Sequence, residues 1–269
     1  MPNIASAFLP PSPLLIPEIG KQNYNILQKT IQAYQSVADI LKKEETEIII
    51  IISPHGQSQN NNISLNISPQ LNLSFKEFGY LATTRSFSSA LSLADEIKKQ
   101  MGREDPVRFV SQDQLDYGSA VPLQLLSNDL KNIKVLPLFP AEKKDRKYHY
   151  QFGQKLGAII RNRPEKIAII AAGDLSHRLK KSSAAGYSPK GARFDNRLIA
   201  YLNDSENGIN KILAMDEKIA EEALESGLKQ LSLILGIIGE NCQPQILSYQ
   251  NDFGVGYLSV NFNLRMALI

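Results

Sequence analysis

The chain has 269 residues, 43% of them apolar, and carries 30 basic against 27 acidic side chains for a formal charge of +3. That length and apolar content suffice for one large α/β core, and the near balance of charge falls far short of the basic excess with which nucleic-acid binders hold phosphates. A single cysteine, Cys242, excludes a disulfide framework within the chain, fits a reducing compartment and reads as a small buried apolar group. No run approaches the ~20 apolar residues of a membrane span, and the N-terminus lacks a basic segment followed by a long apolar one. The expectation is a soluble, cytoplasmic protein with neither a membrane nor a nucleic-acid partner.

In chain order, residues 4–9 read as a strand broken by Pro10, Pro11 and Pro13. Leu27, Ile31, Tyr34, Ala38 and Leu41 recur at helical spacing and predict an amphipathic helix. Five isoleucines, 48–52, then form an unbroken β-branched run that stops at Ser53-Pro54-His55-Gly56. Continuous runs of this kind are what strands covered by helices on both faces look like. Alternating residues at 63–67 and 71–75, joined at Pro69, predict a hairpin. Phe87, Ala90, Ala94, Ile97 and Met101 predict a second helix, followed by a strand at 107–110, a helix at 121–130, a strand at 133–138 and a helix at 148–160. The apolar run 167–172 reads as another buried strand and stops at Gly173-Asp174-Leu175-Ser176-His177. A helical tail over 196–235, interrupted at 203–207, precedes closing strands at 245–249 and 257–262. This alternation predicts a single α/β domain over residues 1–269, with a mixed, largely parallel central sheet flanked by helices. No linker or internal repeat divides it.

Open α/β sheets bind ligands beyond the carboxyl ends of their strands, so His55 and His177 are expected to face one crevice. Several chemistries are absent: there is no P-loop, no Gly-x-Ser-x-Gly elbow, no His-Glu-x-x-His and no Cys-x-x-Cys. Gly254 and Gly256 form only part of a dinucleotide fingerprint and lead into a strand, which makes them a turn. His149, the third histidine, lies in the polar segment 143–150 and reads as a surface residue. Bland roles exist for the others too. His55 could cap the next element, His177 could bond Asp174 or Ser176 to shape a loop, and Tyr117 could be a packing residue with a satisfied hydroxyl. Glu225 closes an acidic helical run, 217–225, whose ordinary reading is a solvated face. Asp174 either orients His177, as carboxylates behind a histidine often do, or begins a turn.

The motifs Ser53-Pro54-His55-Gly56, Asp116-Tyr117-Gly118 with Val121-Pro122-Leu123, Gly173-Asp174-Leu175-Ser176-His177, and Glu225-Ser226-Gly227 with Leu233-Ile234-Leu235-Gly236 follow one another along the chain. Together with the opening Pro10-Pro11-Ser12-Pro13-Leu14-Leu15-Ile16-Pro17, their order resembles that of the class III extradiol ring-cleavage dioxygenases and of the Memo proteins that share their fold. The resemblance runs through nearly the whole chain. It implies a non-haem Fe(II) held by two histidines and one glutamate, a facial triad that leaves positions open for a catecholate and dioxygen. By position His55 matches a metal histidine and Glu225 the carboxylate, and His177 matches the acid/base histidine beside the substrate. Two positions depart from the pattern. Pro11 stands where the first metal histidine is expected, and Tyr117 stands where the family commonly has the histidine of Asp-His-Gly.

Two functions therefore stay open. One is an extradiol dioxygenase, an oxidoreductase acting on a catecholic or related small aromatic substrate. In it Fe(II) is held by His55, Glu225 and water, and the catalytic side chains are His177, which moves protons, and Tyr117, which hydrogen-bonds the substrate. The other is a metal-free, Memo-like protein whose cleft binds a small molecule or a partner protein, since loss of one ligand from a preorganised chelate weakens metal binding sharply. A homo-oligomer is compatible with either.

Overall fold

A computed structural model describes residues 5–82, 85–239 and 242–264. The strands are β1 (Ala5–Leu9), β2 (Ile48–Ile52), β3 (Ser64–Asn66), β4 (Gln70–Asn72), β5 (Ser86–Ser89), β6 (Arg108–Val110), β7 (Lys134–Phe139), β8 (Ile167–Ala172), β9 (Cys242–Gln250) and β10 (Tyr257–Leu264). The α-helices are α1 (Pro17–Gly20), α2 (Gln28–Lys43), α3 (Leu91–Met101), α4 (Tyr117–Leu126), α5 (Arg146–Arg161), α6 (Pro189–Leu202), α7 (Gly208–Leu213), α8 (Glu217–Ala223) and α9 (Leu228–Ile238). None of the described helices is long and apolar enough to cross a membrane.

All ten described strands join one sheet, whose main path runs β4-β5-β7-β2-β8-β1-β10-β9, with β3 and β6 beside the end of β7. The five central strands from β5 to β1 are parallel, and the flanking pairs β4–β5, β1–β10 and β10–β9 are antiparallel. The isoleucine run is central because it is covered twice. Ile48, Ile50 and Ile52 pack with Leu136, Ile169, Leu156 of α5 and Leu233 of α9. Ile49 and Ile51 point the other way, into Val135, Ile170, Val37 of α2 and Leu123 of α4. Each fully buried side chain of this size stabilises the fold by roughly 1.5–3 kcal/mol.

β8 lies between β1 and β2, pairing Ile170 with both Ala7 and Ile51. The chain segments leaving these three strands are thereby brought side by side: Pro10–Ser12, Ser53–His55 and Gly173–His177. Helices α5 and α9 cross on one face with their backbones in contact. A Cβ on Gly153 would stand 2.3 Å from the Leu233 carbonyl oxygen, and one on Gly236 would stand 2.1 Å from that of Tyr150.

The structure departs from sequence expectation in three places. The segments 63–67 and 71–75 do not form a hairpin: β3 pairs with β6 and β7, while β4 pairs with β5. Asn66 explains the rerouting, because its Oδ1 accepts the backbone N–H groups of Ser68 (3.1 Å) and Gln112 (3.0 Å) and its Nδ2 donates to the Gln112 carbonyl (2.8 Å). That side chain turns the strand and ties it to the 112 loop instead. Phe87 belongs to strand β5, and the second helix begins only at Leu91. The helical tail comprises four helices, α6 to α9.

Candidate functional site

At the end of β2, the backbone N–H of Ser53 still bonds to the Leu138 carbonyl of β7 (3.0 Å). The Ser53 hydroxyl then donates to Asp116 Oδ1 and accepts the backbone N–H of His55 (3.2 Å). Asp116 is the N-cap of α4, with Oδ1 accepting the Ser119 N–H (3.1 Å) and Oδ2 the Ser119 hydroxyl (2.8 Å). This clasp sets the first residue of α4 against the β2 turn. The Tyr117 ring stacks on His55 with centroids 4.1 Å apart and planes 25° apart, and Phe78 meets Tyr117 edge-on at 5.6 Å. His55 Nε2 is buried without a hydrogen-bond partner among the described residues. Burial pushes the His55 imidazole below its ordinary pKa against the pull of Asp116, and the charge of His177 adds to the depression, so the ring is neutral at pH 7.

The turn after β8 is bound to the segment between α8 and α9. Ser226 N–H donates to the Asp174 carbonyl (3.1 Å), His177 N–H donates to that of Ala223 (3.0 Å), and the Ser176 hydroxyl donates to the same Ala223 carbonyl (2.9 Å). His177 Nδ1 donates to the Leu224 carbonyl at 2.7 Å, which leaves Nε2 facing Asp174 Oδ2 at 3.7 Å. Leu224 adopts a left-handed backbone, φ 52° and ψ 48°, a strained conformation for a residue with a side chain.

Asp174 is 8% exposed, its Oδ1 has no hydrogen-bond partner among the described residues, and burial raises its carboxyl pKa to about 7. Burial and, after it, the Asp174 charge raise the phenols of Tyr34, Tyr117 and Tyr257, the last to about 12. Residues from α2, α4 and β10 thus lie within electrostatic reach of one carboxylate in the turn after β8. The Ser12 hydroxyl donates to the Tyr257 oxygen (3.3 Å), and the Tyr34 hydroxyl donates to the Pro10 carbonyl (2.9 Å), which fixes the chain leaving β1. Asp174, its carboxyl raised to about 7, is suited to hold or release a proton near neutral pH, the task of a general acid or base, and His177 Nε2 stands 3.7 Å from it. The stacked His55 and Tyr117 line a cleft of about 600 Å³ together with Asp116, Glu77, Gln112 and Gln114, whereas Asp174 and His177 are not part of its lining.

His55, His177 and Tyr117 are therefore brought into one region, with the charge of His177 acting on His55. Glu225 is not joined to them. Its Oε2 accepts the backbone N–H groups of Gly227 (2.8 Å) and Leu228 (2.7 Å) at the start of α9, and its side chain lines a separate groove with Arg146 and Lys229. Burial raises its carboxyl pKa, while those two N–H groups and the two cations oppose the rise. Pro11 is buried and its side chain offers no ligating atom. Among the described residues no group of three His, Cys, Asp or Glu side chains is placed to hold a metal. The donor set does not fit a two-histidine, one-carboxylate ferrous site.

His149 corrects a sequence expectation, being fully buried. It shares the inward face of α5 with Phe152, Gly153 and Leu156, at the i+3, i+4 and i+7 positions. Its Nδ1 donates to the Asp145 carbonyl (2.6 Å), its Nε2 accepts the Ala141 N–H (3.1 Å), and burial lowers its pKa to about 4. Ser12 and Tyr257 were given no site role by sequence reasoning, and Asp116 entered only as part of the Asp116-Tyr117-Gly118 motif. Only Asp116 carried a local signal, an acceptor three residues before Ser119 at a helix start.

The model of the family described as the catalytic LigB subunit of aromatic ring-opening dioxygenase matches residues 6–259. The chain belongs to that family. The protein CA_C1420 of Clostridium acetobutylicum is 28% identical over 260 residues, which cover 93% of this chain and 55% of that protein, so the chain spans about half the length of this relative. The crystal structure of the uncharacterized protein JW3007 from Escherichia coli K12 superposes with a TM-score of 0.69, covering 96% of this chain and 99% of that one at 17% identity, and shares the fold.

Proposed function

We propose that this chain is a metal-free member of the ring-opening dioxygenase family, using the strand-end cleft to bind a small molecule with which His177 and Asp174 exchange a proton. The observation that carries the reading is the donor set: Pro11 supplies no ligand and the Glu225 carboxylate is committed to the α9 N-terminus, whereas His55, Tyr117, His177 and Asp174 remain grouped. Binding would orient the ligand against the His55–Tyr117 stack. The Leu224 carbonyl fixes Nδ1–H of His177, so proton exchange falls to Nε2, which faces Asp174 Oδ2 at 3.7 Å without being hydrogen-bonded to it. A cytoplasmic location belongs to the same proposal and rests on the lone cysteine.

A second reading, ring cleavage of a catecholic substrate at Fe(II) held by His55, Glu225 and water, is favoured by the family and by the unpartnered Nε2 of His55. It requires Glu225 to release α9, at a cost of about 1 kcal/mol for a lost helix cap. Anaerobic Fe(II) titration of the purified protein by calorimetry decides between them. The metal-free reading expects no saturable heat in the wild type, His55→Ala or Glu225→Ala proteins. Stoichiometric binding that disappears in both variants would establish the iron reading instead.

A further inference from the structure

The turn that carries His177 is supported in part by a carboxylate outside the grouping of His55, Tyr117, Asp174 and His177. Each backbone N–H from Leu175 to Arg178 has an acceptor: in order, the Gly256 carbonyl (2.8 Å), Asp195 Oδ1 (2.9 Å), the Ala223 carbonyl (3.0 Å) and the Ser176 hydroxyl oxygen (3.0 Å). Asp195 is the one ionisable side chain among these acceptors. It lies in α6, fully buried, and its Oδ2 accepts the Tyr249 hydroxyl of β9 at 2.7 Å. A Cβ on Gly256 would stand 2.2 Å from that oxygen, so the backbone closes directly over the carboxylate.

Burial raises the Asp195 carboxyl to about 7, with both hydrogen bonds opposing the rise. Its oxygens are held by an amide and a phenol rather than by a cation, a costly arrangement for a buried carboxylate. Helix α6 does not need it for docking, because Phe194, Leu198 and Leu202 of the same helix are buried in the core. An apolar residue of similar volume would suit that place at least as well, but would leave the buried Ser176 N–H without an acceptor. From Ser176 the support continues to the imidazole. The Ser176 hydroxyl donates to the Ala223 carbonyl (2.9 Å), which also accepts the His177 N–H, and the next carbonyl, that of Leu224, receives His177 Nδ1–H at 2.7 Å.

We propose that Asp195 is a positioning residue for His177: by holding the Ser176 N–H it keeps the turn where the Leu224 carbonyl fixes Nδ1–H and leaves Nε2 for proton exchange. The proposal deepens the metal-free reading above and rests on it for the role of Nε2.

The test is NMR of the full chain, labelled with nitrogen-15, at pH 8, where the ring nitrogen shifts report the tautomer of each histidine. In the wild type His177 and His149 should both carry the proton on Nδ1. Asp195→Leu should move most His177 rings to the Nε2–H tautomer, which an unconstrained imidazole favours. His149, held by Asp145 and Ala141, should stay unmoved in the same spectrum and report an intact core. Asp195→Asn should keep the wild-type pattern, because its carboxamide oxygen accepts the Ser176 N–H and its N–H group donates to the Tyr249 oxygen. Tyr249→Phe, which removes the other hydrogen bond of the same carboxylate, should leave His177 unmoved. If Asp195→Leu does not fold, Asp195→Ala serves the same comparison. An unchanged His177 tautomer in the Leu or Ala variant, an equal change in Tyr249→Phe, or the loss of the wild-type pattern in Asp195→Asn would each overturn the proposal. Unfolding of both the Leu and Ala variants would assign Asp195 to the fold at large and overturn it too. Saturable Fe(II) binding in the companion titration would overturn the metal-free reading itself, whereas an unmoved His177 ring without iron binding removes only the role of Asp195.

Discussion

His55 and His149 follow neighbouring central strands, β2 and β7, and burial depresses the pKa of both rings. Their surroundings are otherwise opposite. The His149 ring has both nitrogens engaged, one by the Asp145 carbonyl and one by the Ala141 N–H, and it closes the turn from β7 into α5. The His55 ring is stacked on one side and keeps a buried Nε2 with no partner among the described residues. Burial and a shifted pKa are common to both and so do not mark a site. Unspent hydrogen-bonding capacity beside an open cleft is what distinguishes His55, the candidate site position, from His149.

That contrast can be broken most directly by deletion. His149→Ala leaves Ala141 N–H and the Asp145 carbonyl without the ring and opens a cavity, and should cost about 3 kcal/mol in urea unfolding. His55→Ala should cost less than about 1 kcal/mol by the same measurement. An equal loss at the two positions would erase the distinction.

The pH dependence sharpens it. The folded pKa of His149, about 4, lies below its ordinary 6.5, so the unfolded chain binds the extra proton between those values. Its contribution is complete above pH 6.5 and is lost as pH falls toward 4, by roughly 3 kcal/mol. His149→Gln should flatten that slope in urea midpoints taken from pH 4 to pH 8. Asp174 has the opposite sign. Its carboxyl is raised to about 7, so stability present below pH 3.8 is lost as pH rises through 7. Asp174→Asn should therefore stabilise the protein at pH 8, by about 2 kcal/mol. Destabilisation by this substitution at pH 8 would place Asp174 with His149 among the structural residues.

The smallest effect is expected at Tyr117. Tyr117→Phe preserves the stack and should change stability by less than about 0.5 kcal/mol, with the His55 titration seen by NMR unmoved. Tyr117→Ala uncovers the imidazole and should return its pKa toward 6.5, because burial is the main cause of the depression. An unmoved His55 titration in Tyr117→Ala would show that the ring is shielded from elsewhere.

Much of the architecture was legible because it rests on local pattern. The Ile48–Ile52 run and the 167–172 run could only be doubly covered strands, and their ends located His55 and His177 before any geometry was known. The illegible parts depend on partners distant in sequence. Asn66 diverts β3 through hydrogen bonds to residue 112, so period-two alternation alone suggested a hairpin that does not exist. His149 looked polar among Lys143, Lys144 and Lys147, yet its helical phase turns it inward. Asp174 and Tyr257 lie 83 positions apart, and only the pairing of β1 with both β8 and β10 brings their charges into one field. Glu225 was identified by motif position, but the direction of its side chain is set by the free N–H groups of α9.

The Gly153–Gly236 crossing bears on how this scaffold could be redesigned. Any larger residue at either position drives a Cβ into a backbone carbonyl, so the pair acts as a fixed keel under the sheet. A combinatorial library should hold those two positions invariant and spend its diversity on Gln57, Gln112 and Gln114, which line the cleft on the connecting segments and belong to no strand or helix. Substitution there changes what the cleft recognises without asking the helix crossing to move.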